Sequence, residues 1–165
     1  MASTTQSAHL PALGEPHERE EVGNQLQATM AELVDLSLLG KHLHWNVTGP
    51  LFRPLHEQLD ELVDSWRELA DVVAERAVAL GYSPDGQSGA IAQATEHKAL
   101  ERGALPDHVV VRELSERLNY AADRARERMD RLGEIDPASE DVLIEVVRAL
   151  EQQLWMIRVQ ASHGS

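Results

Sequence analysis

His44, His56, Asp60, Asp71 and Glu75 stand out in this 165-residue chain, because imidazole nitrogens and carboxylate oxygens together make a ligand set for a divalent cation. His44 lies six residues before Pro50 and His56 six residues after it. If two helices fold back on each other at that proline, the histidines stand at one height, with Asp60 one turn beyond His56. A lone histidine here would more often be packed or simply exposed. Two at one level beside a carboxylate are candidate metal ligands. Asp60 and Asp71 cannot serve one ion from one chain, since eleven helical residues separate them by about 16 Å of rise and only about 20° of rotation. A two-fold axis between Ser65 and Trp66 removes the difficulty, because the pairs 56/75 and 60/71 share that midpoint. Helix two would lie antiparallel on its copy. His56 and Asp60 of one subunit would meet the partner's Glu75 and Asp71.

The elements that must position these residues are helical. Leu55, Leu59, Leu62, Trp66, Leu69, Val73, Ala77 and Leu80 recur every three or four residues and form one core-facing stripe. His56, Asp60, Asp64, Arg67, Asp71 and Glu75 form a second stripe, centred about 140° away. A solvated charged face explains that second stripe equally well, and helix two alone does not decide. The first helix is expected from Glu18 to the Thr48-Gly49-Pro50 stop, with Val22, Leu26, Met30, Leu33, Val34/Leu36, Leu38/Leu39 and Leu43 as its apolar residues. The second is expected over 53–80, closed by Gly81. The third runs from Pro106/Asp107 to Leu132, closed by Gly133. The fourth runs from Asp136-Pro137 to about Val159, with Leu143, Val147, Leu150, Leu154 and Ile157 as its stripe.

The 27 residues between the second and third helices, 81–107, include four Gly and two Pro, with one short helix near Ala90–His97. That length spans a helix of about 42 Å, which an up-down-up-down bundle would not need. The reading is all-α: a four-helix bundle with one long crossover carrying a short helix, the ferritin-like topology. Residues 1–17 are a flexible tail, 18–161 the bundle and 162–165 a short C-terminal tail.

Composition narrows the function classes. With no cysteine, thiol catalysis, disulfides and thiolate-bound zinc or iron–sulfur clusters are excluded. The formal net charge of -13 disfavours binding to phosphate backbones or anionic lipid through bulk charge. No apolar run of signal-peptide or membrane-span type occurs, so a cytoplasmic protein is expected.

The segment KHLHWNVTGPLFRPLHEQLDELVDSWRELADVVAERAVALG resembles the Dps family of miniferritins, through HWN, then HExxD, then DxxxER at family spacing. The resemblance covers about 20–160, including Leu154-Trp155. It implies a ferroxidase whose iron ligands are His44, His56 and Asp60 from one subunit with Asp71 and Glu75 from its partner. It also implies a hollow homo-dodecamer that oxidises ferrous iron with hydrogen peroxide, preferably, or dioxygen, and stores ferric mineral inside. Trp45, beside His44, is then a candidate electron donor, or a side chain packed at the hairpin end. The family's acidic three-fold pores place Asp141, by its distance from Trp155, at a candidate ion path, with Asp136 and Glu140 near it. Carboxylates also favour helix N-termini without any pore. His9 and His17 are either an accessory metal site or part of an uncoordinated tail.

Three rivals are weighed. A di-iron site inside the bundle would use Glu-x-x-His pairs, and no Glu in this chain has a His three residues later. Direct DNA compaction, with nucleoid association, is the role in the family's name. Residues 1–18 and 159–165 have no Lys or Arg, and the arginines at 112–131 are interleaved with acids, so DNA binding at neutral pH is not expected. A metal-free structural bundle is the third.

Overall fold

The computed structural model describes residues 15–95 and 99–161. Residues 1–14 with His9, the 96–98 end of the expected short helix, and the C-terminal 162–165 lie outside the described residues. The elements in chain order are α1 (Pro16–Asn46), β1 (Val47–Thr48), α2 (Phe52–Ala79), α3 (Ser88–Ala94), β2 (Leu105–Pro106), α4 (Asp107–Gly133) and α5 (Pro137–Ala161).

Helix α1 begins two residues earlier than the apolar period indicates. Pro16 sits at its first position, and the Glu18 carboxylate accepts the Glu15 amide at 2.7 Å, so one orphan donor of the first turn is satisfied. His17 therefore lies in a helical turn. The helix stops at Asn46, before the expected Gly-Pro signal. Val47 and Thr48 leave it to pair in parallel with Leu105 and Pro106. Gly49 then turns the chain at φ 110°, a backbone region that favours glycine.

Periodicity locates the core well. Every residue of the α2 apolar stripe, and of the α5 stripe, is buried. On α1, Val22, Leu26, Met30, Leu33, Leu36 and Leu43 are buried, whereas Leu38 is 57% exposed and belongs to another face. Helices α1 and α2 form one hairpin, α4 and α5 the other. The crossover between them is held along α1: Gln27 exchanges hydrogen bonds with the Asp85 backbone at 2.8 and 2.9 Å, and Tyr82 donates to Asn24 at 2.9 Å. Gly23 leaves room for the Tyr82 ring, which a Cβ would strike at 2.0 Å. Buried Arg128 pairs with half-buried Glu32 through two bonds of 2.8 Å and ties α4 to α1. Trp66 donates to Gln153 at 2.8 Å and so ties α2 to α5. Among the described residues no helix is long and apolar enough to cross a membrane.

Candidate metal centre

The α1–α2 hairpin brings His44 and His56 face to face. Their rings stack with centroids 3.6 Å apart at an interplanar angle of 20°. His44 Nδ1 donates to the His56 carbonyl at 2.8 Å, and His56 Nδ1 donates to the His44 carbonyl at 3.0 Å. A carbonyl only accepts, so each Nδ1 carries a proton, and in the neutral form of such a ring the lone pair is on Nε2. The tautomer follows from the hydrogen-bond network. The His44 carbonyl belongs to the last turn of α1, where helices leave carbonyls without partners. His56 satisfies it and is oriented in return. Backbone bonds of this kind prepare an imidazole as a ligand.

Asp60 lies one turn along α2. Its Oδ1 accepts from Lys41 Nζ at 2.6 Å and is 3.3 Å from His44 Nδ1. The Lys41 hydrogen bond, with the positive charges of Lys41 and of any protonated imidazole, holds the Asp60 carboxyl below its ordinary range against a smaller opposing push from burial. Lys41 is thus the resident cation of this carboxylate, a role that motif reading left unassigned although the residue opens the KHLHWN run. Phe52 was also missed. Its ring is 5.1 Å from that of His56, one helical turn on. Both lay at i+3 or i+4 spacing from a histidine, which is the signal that could have found them.

The structure brings His44, His56 and Asp60 to one end of the hairpin and leaves Asp71 and Glu75 exposed on the far half of α2. Among the described residues no three His, Asp or Glu side chains are arranged to hold a metal within one chain. Trp45 is 71% exposed, so it is not packed within the chain, and Lys41 Nζ lies 5.8 Å from its ring centroid.

The three carboxylates at the start of α5 separate. Asp136 is drawn into the bundle. It is buried, accepts from Arg76 Nη2 at 2.6 Å and from the Ser139 hydroxyl, and so joins the end of α2 to the start of α5. Burial pushes its carboxyl up, but the hydrogen bonds from Ser139, Arg76 and the Ala138 amide, with the Arg76 charge, bring it below the usual range. Glu140 is half-buried, with its carboxylate folded against Gly133. Asp141 is exposed and edges a surface recess of about 770 Å³ with Glu145, Arg148 and Glu151.

A family profile described as "Ferritin-like domain" matches residues 23–164. The DNA protection during starvation protein of Mycolicibacterium smegmatis is 36% identical over 140 residues, 84% of this chain and 75% of that protein. The solved tetragonal form of Mycobacterium smegmatis Dps superposes with a TM-score of 0.88 at 32% identity, over 97% of this chain and 94% of that one. The chain belongs to the Dps family of the ferritin-like superfamily. Another similar structure is that of Microbacterium arborescens Dps in its high iron form, with a TM-score of 0.86 at 28% identity, over 92% of this chain and 99% of that one. The fine tangled pili major subunit of Haemophilus ducreyi is also 36% identical, over 146 residues, 87% of this chain and 76% of that protein. The Dps fold thus extends over the whole described bundle, crossover included.

Proposed function

We propose that this Dps protein oxidises ferrous iron, preferably with hydrogen peroxide and otherwise with dioxygen, at centres shared between two-fold related subunits. The product is stored as ferric mineral in a hollow homo-dodecamer in the cytoplasm, which protects DNA by removing both reactants of radical chemistry. The observation that carries the reading is the paired imidazoles, each with Nδ1 committed to a carbonyl and Nε2 left as the donor atom. Asp60 stands beside them, and the shared midpoint of the pairs 56/75 and 60/71 supports Asp71 and Glu75 as ligands supplied by a two-fold partner. A relative named for DNA protection and a similar structure in a high iron form support the iron assignment.

Neutral imidazole and carboxylate suit ferrous iron and leave positions open for the oxidant. Iron must displace Lys41 from Asp60, and the displaced ammonium has the Trp45 ring within reach. Two ferrous ions each give one electron to one peroxide. With two protons, the products are two ferric ions and two waters, and no hydroxyl radical is released. Trp45, exposed next to His44, supplies an electron when only one iron is present. Asp141 is the leading carboxylate for a cation path at the α5 N-terminus, with Asp136 and Glu140 near it.

Protection without direct DNA contact fits the chain, whose net charge is -13 and whose lysines are only two. The test is anaerobic ferrous iron mixed with peroxide, followed by the ferric absorbance. Protein-dependent oxidation at two irons per peroxide, slowed in His56→Ala, supports the reading. A rate equal to that of the buffer alone refutes it.

A further inference from the structure

Helix α2 has no capping side chain of its own. Its N-cap is Leu51, and its first turn contains no acidic residue. The carboxylate at this helix start comes instead from Asp107, 56 residues later. Asp107 Oδ2 accepts the Leu51 amide at 2.9 Å, and Oδ1 accepts the His108 amide at 2.8 Å. One carboxylate thus sits at the N-termini of both α2 and α4, where backbone N–H groups and the helix dipoles favour negative charge.

The turn is shaped around that carboxylate. Gly49 adopts φ 110°, and a Cβ there would lie 2.7 Å from Asp107 Oδ2. The two residues before Asp107 form β2, which pairs with Val47 and Thr48, and the Thr48 hydroxyl adds a 3.2 Å bond to the Leu105 carbonyl. Residues 105–107 are therefore a continuous strap across the turn that joins α1 to α2. His44 is three residues before the strapped segment, and His56 five residues after Leu51. Between them they exchange the two Nδ1 bonds that leave both Nε2 atoms as the remaining ring nitrogens.

We infer that Asp107 is a positioning residue for the candidate metal centre. It holds the first turn of α2 against the last turn of α1, so that His44 and His56 stay in the stacked, Nδ1-protonated arrangement that binds a divalent cation. The inference rests on the metal-centre reading above and adds to it a residue outside the ligand motif. Without this carboxylate the Leu51 amide loses its acceptor and the α2 start frays. The reciprocal histidine bonds then loosen, and cation affinity falls before any step of oxidation is touched. The kinetic signature is a raised KM for ferrous iron with kcat retained.

The direct test uses Co2+ as the probe on the full-chain assembled protein, reading its visible absorption during titration. Wild type, His56→Ala, Asp107→Ala, Asp107→Asn and Gln27→Ala are compared. The Gln27→Ala variant loosens the crossover at its far end, at Asp85. Wild type is expected to give a band that His56→Ala abolishes. Asp107→Ala is expected to bind about tenfold more weakly, the scale of losing a group that orients a ligand. Asp107→Asn keeps one acceptor oxygen and falls between, and Gln27→Ala matches wild type. Should Asp107→Ala fail to assemble, Gly49→Ala, whose Cβ would press on the same carboxylate, carries the test, and wild-type affinity in it overturns the inference. Equal weakening in Gln27→Ala overturns it too, because general loosening would then suffice. A wild-type protein with no His56-dependent band defeats the metal-centre reading itself, an outcome distinct from an Asp107 variant that binds normally.

Discussion

Gly40 faces α2 at Val63 and Trp66, one helical turn before His44. A Cβ at this position would lie 2.5 Å from Val63 Cγ2 and 2.7 Å from Trp66 Cζ3, both in buried side chains. Carbon atoms settle at about 3.5–4.0 Å, so Gly40→Ala requires about 1 Å of separation. Trp66 has little freedom to give way, because its indole N–H is held by Gln153. Overpacking of this kind costs about 1–3 kcal/mol, while alanine in place of a helical glycine returns about 0.8–1.0 kcal/mol. The net is a loss of up to about 2 kcal/mol, where an open helical glycine would show a gain of about 1 kcal/mol. His44 is one turn beyond Gly40. A 1 Å displacement there stretches its 2.8 Å bond to the His56 carbonyl past the hydrogen-bond range. Gly40→Ala should therefore unfold at lower urea and raise the KM for ferrous iron. In a Val63→Ala background, where one of the two clashes is gone, it should cost measurably less, by more than about 0.5 kcal/mol. A variant stabilised by the full helical gain, with strictly additive behaviour in the double mutant, would refute the close-packing argument.

Other consequences follow from single groups. Arg128→Ala leaves the half-buried Glu32 carboxylate without its partner and should destabilise by about 1.5–3 kcal/mol in denaturant titration, with most of the loss recovered when Glu32 is also replaced. Asp136 has a folded pKa below its unfolded value, so its contribution to stability is fully present above about pH 4 and disappears as pH falls through the folded pKa. Asp136→Asn should accordingly be less stable than wild type at pH 7, and the two melting curves should converge under acid conditions. Duplex DNA at neutral pH and physiological salt should show no gel retardation, since residues 1–18 and 159–165 carry no Lys or Arg and the net charge is -13; a salt-sensitive shift would contradict this.

The helices and the core were legible because burial repeats along the chain: the 3.6-residue period of α2 marks its inner face without reference to any other element. The histidine pair was legible for a related reason, since equal distances from Pro50 place His44 and His56 at one height. What pattern reading missed was set by partners remote in sequence. The β1–β2 pair involves two residues on each side and ends α1 early, through contacts 58 residues away. Asp136 satisfies every local sign of an exposed helix-start acid, yet Arg76, 60 residues earlier, claims it. Asp107 reads locally as the opening of α4, and its second task at the α2 start arises only when the crossover folds back. Leu38 keeps an apolar spacing but faces outward, on the same side of α1 as the exposed Trp45. The candidate site was half visible within one chain, because two of its five proposed ligands would have to come from a partner.

That sharing is the central claim, and mixed assemblies of His56→Ala and Asp71→Ala subunits test it. Each variant alone damages every centre and should oxidise ferrous iron slowly. Across a two-fold axis that pairs one subunit of each kind, one centre receives both substitutions. The other takes His56 from the Asp71→Ala subunit and Asp71 from the His56→Ala subunit, and is complete. Verified mixed assemblies should therefore recover peroxide-driven iron oxidation, up to half the wild-type rate for such a pair. No recovery at any mixing ratio would contradict the shared centre, because a site built within one chain carries its defect into every assembly.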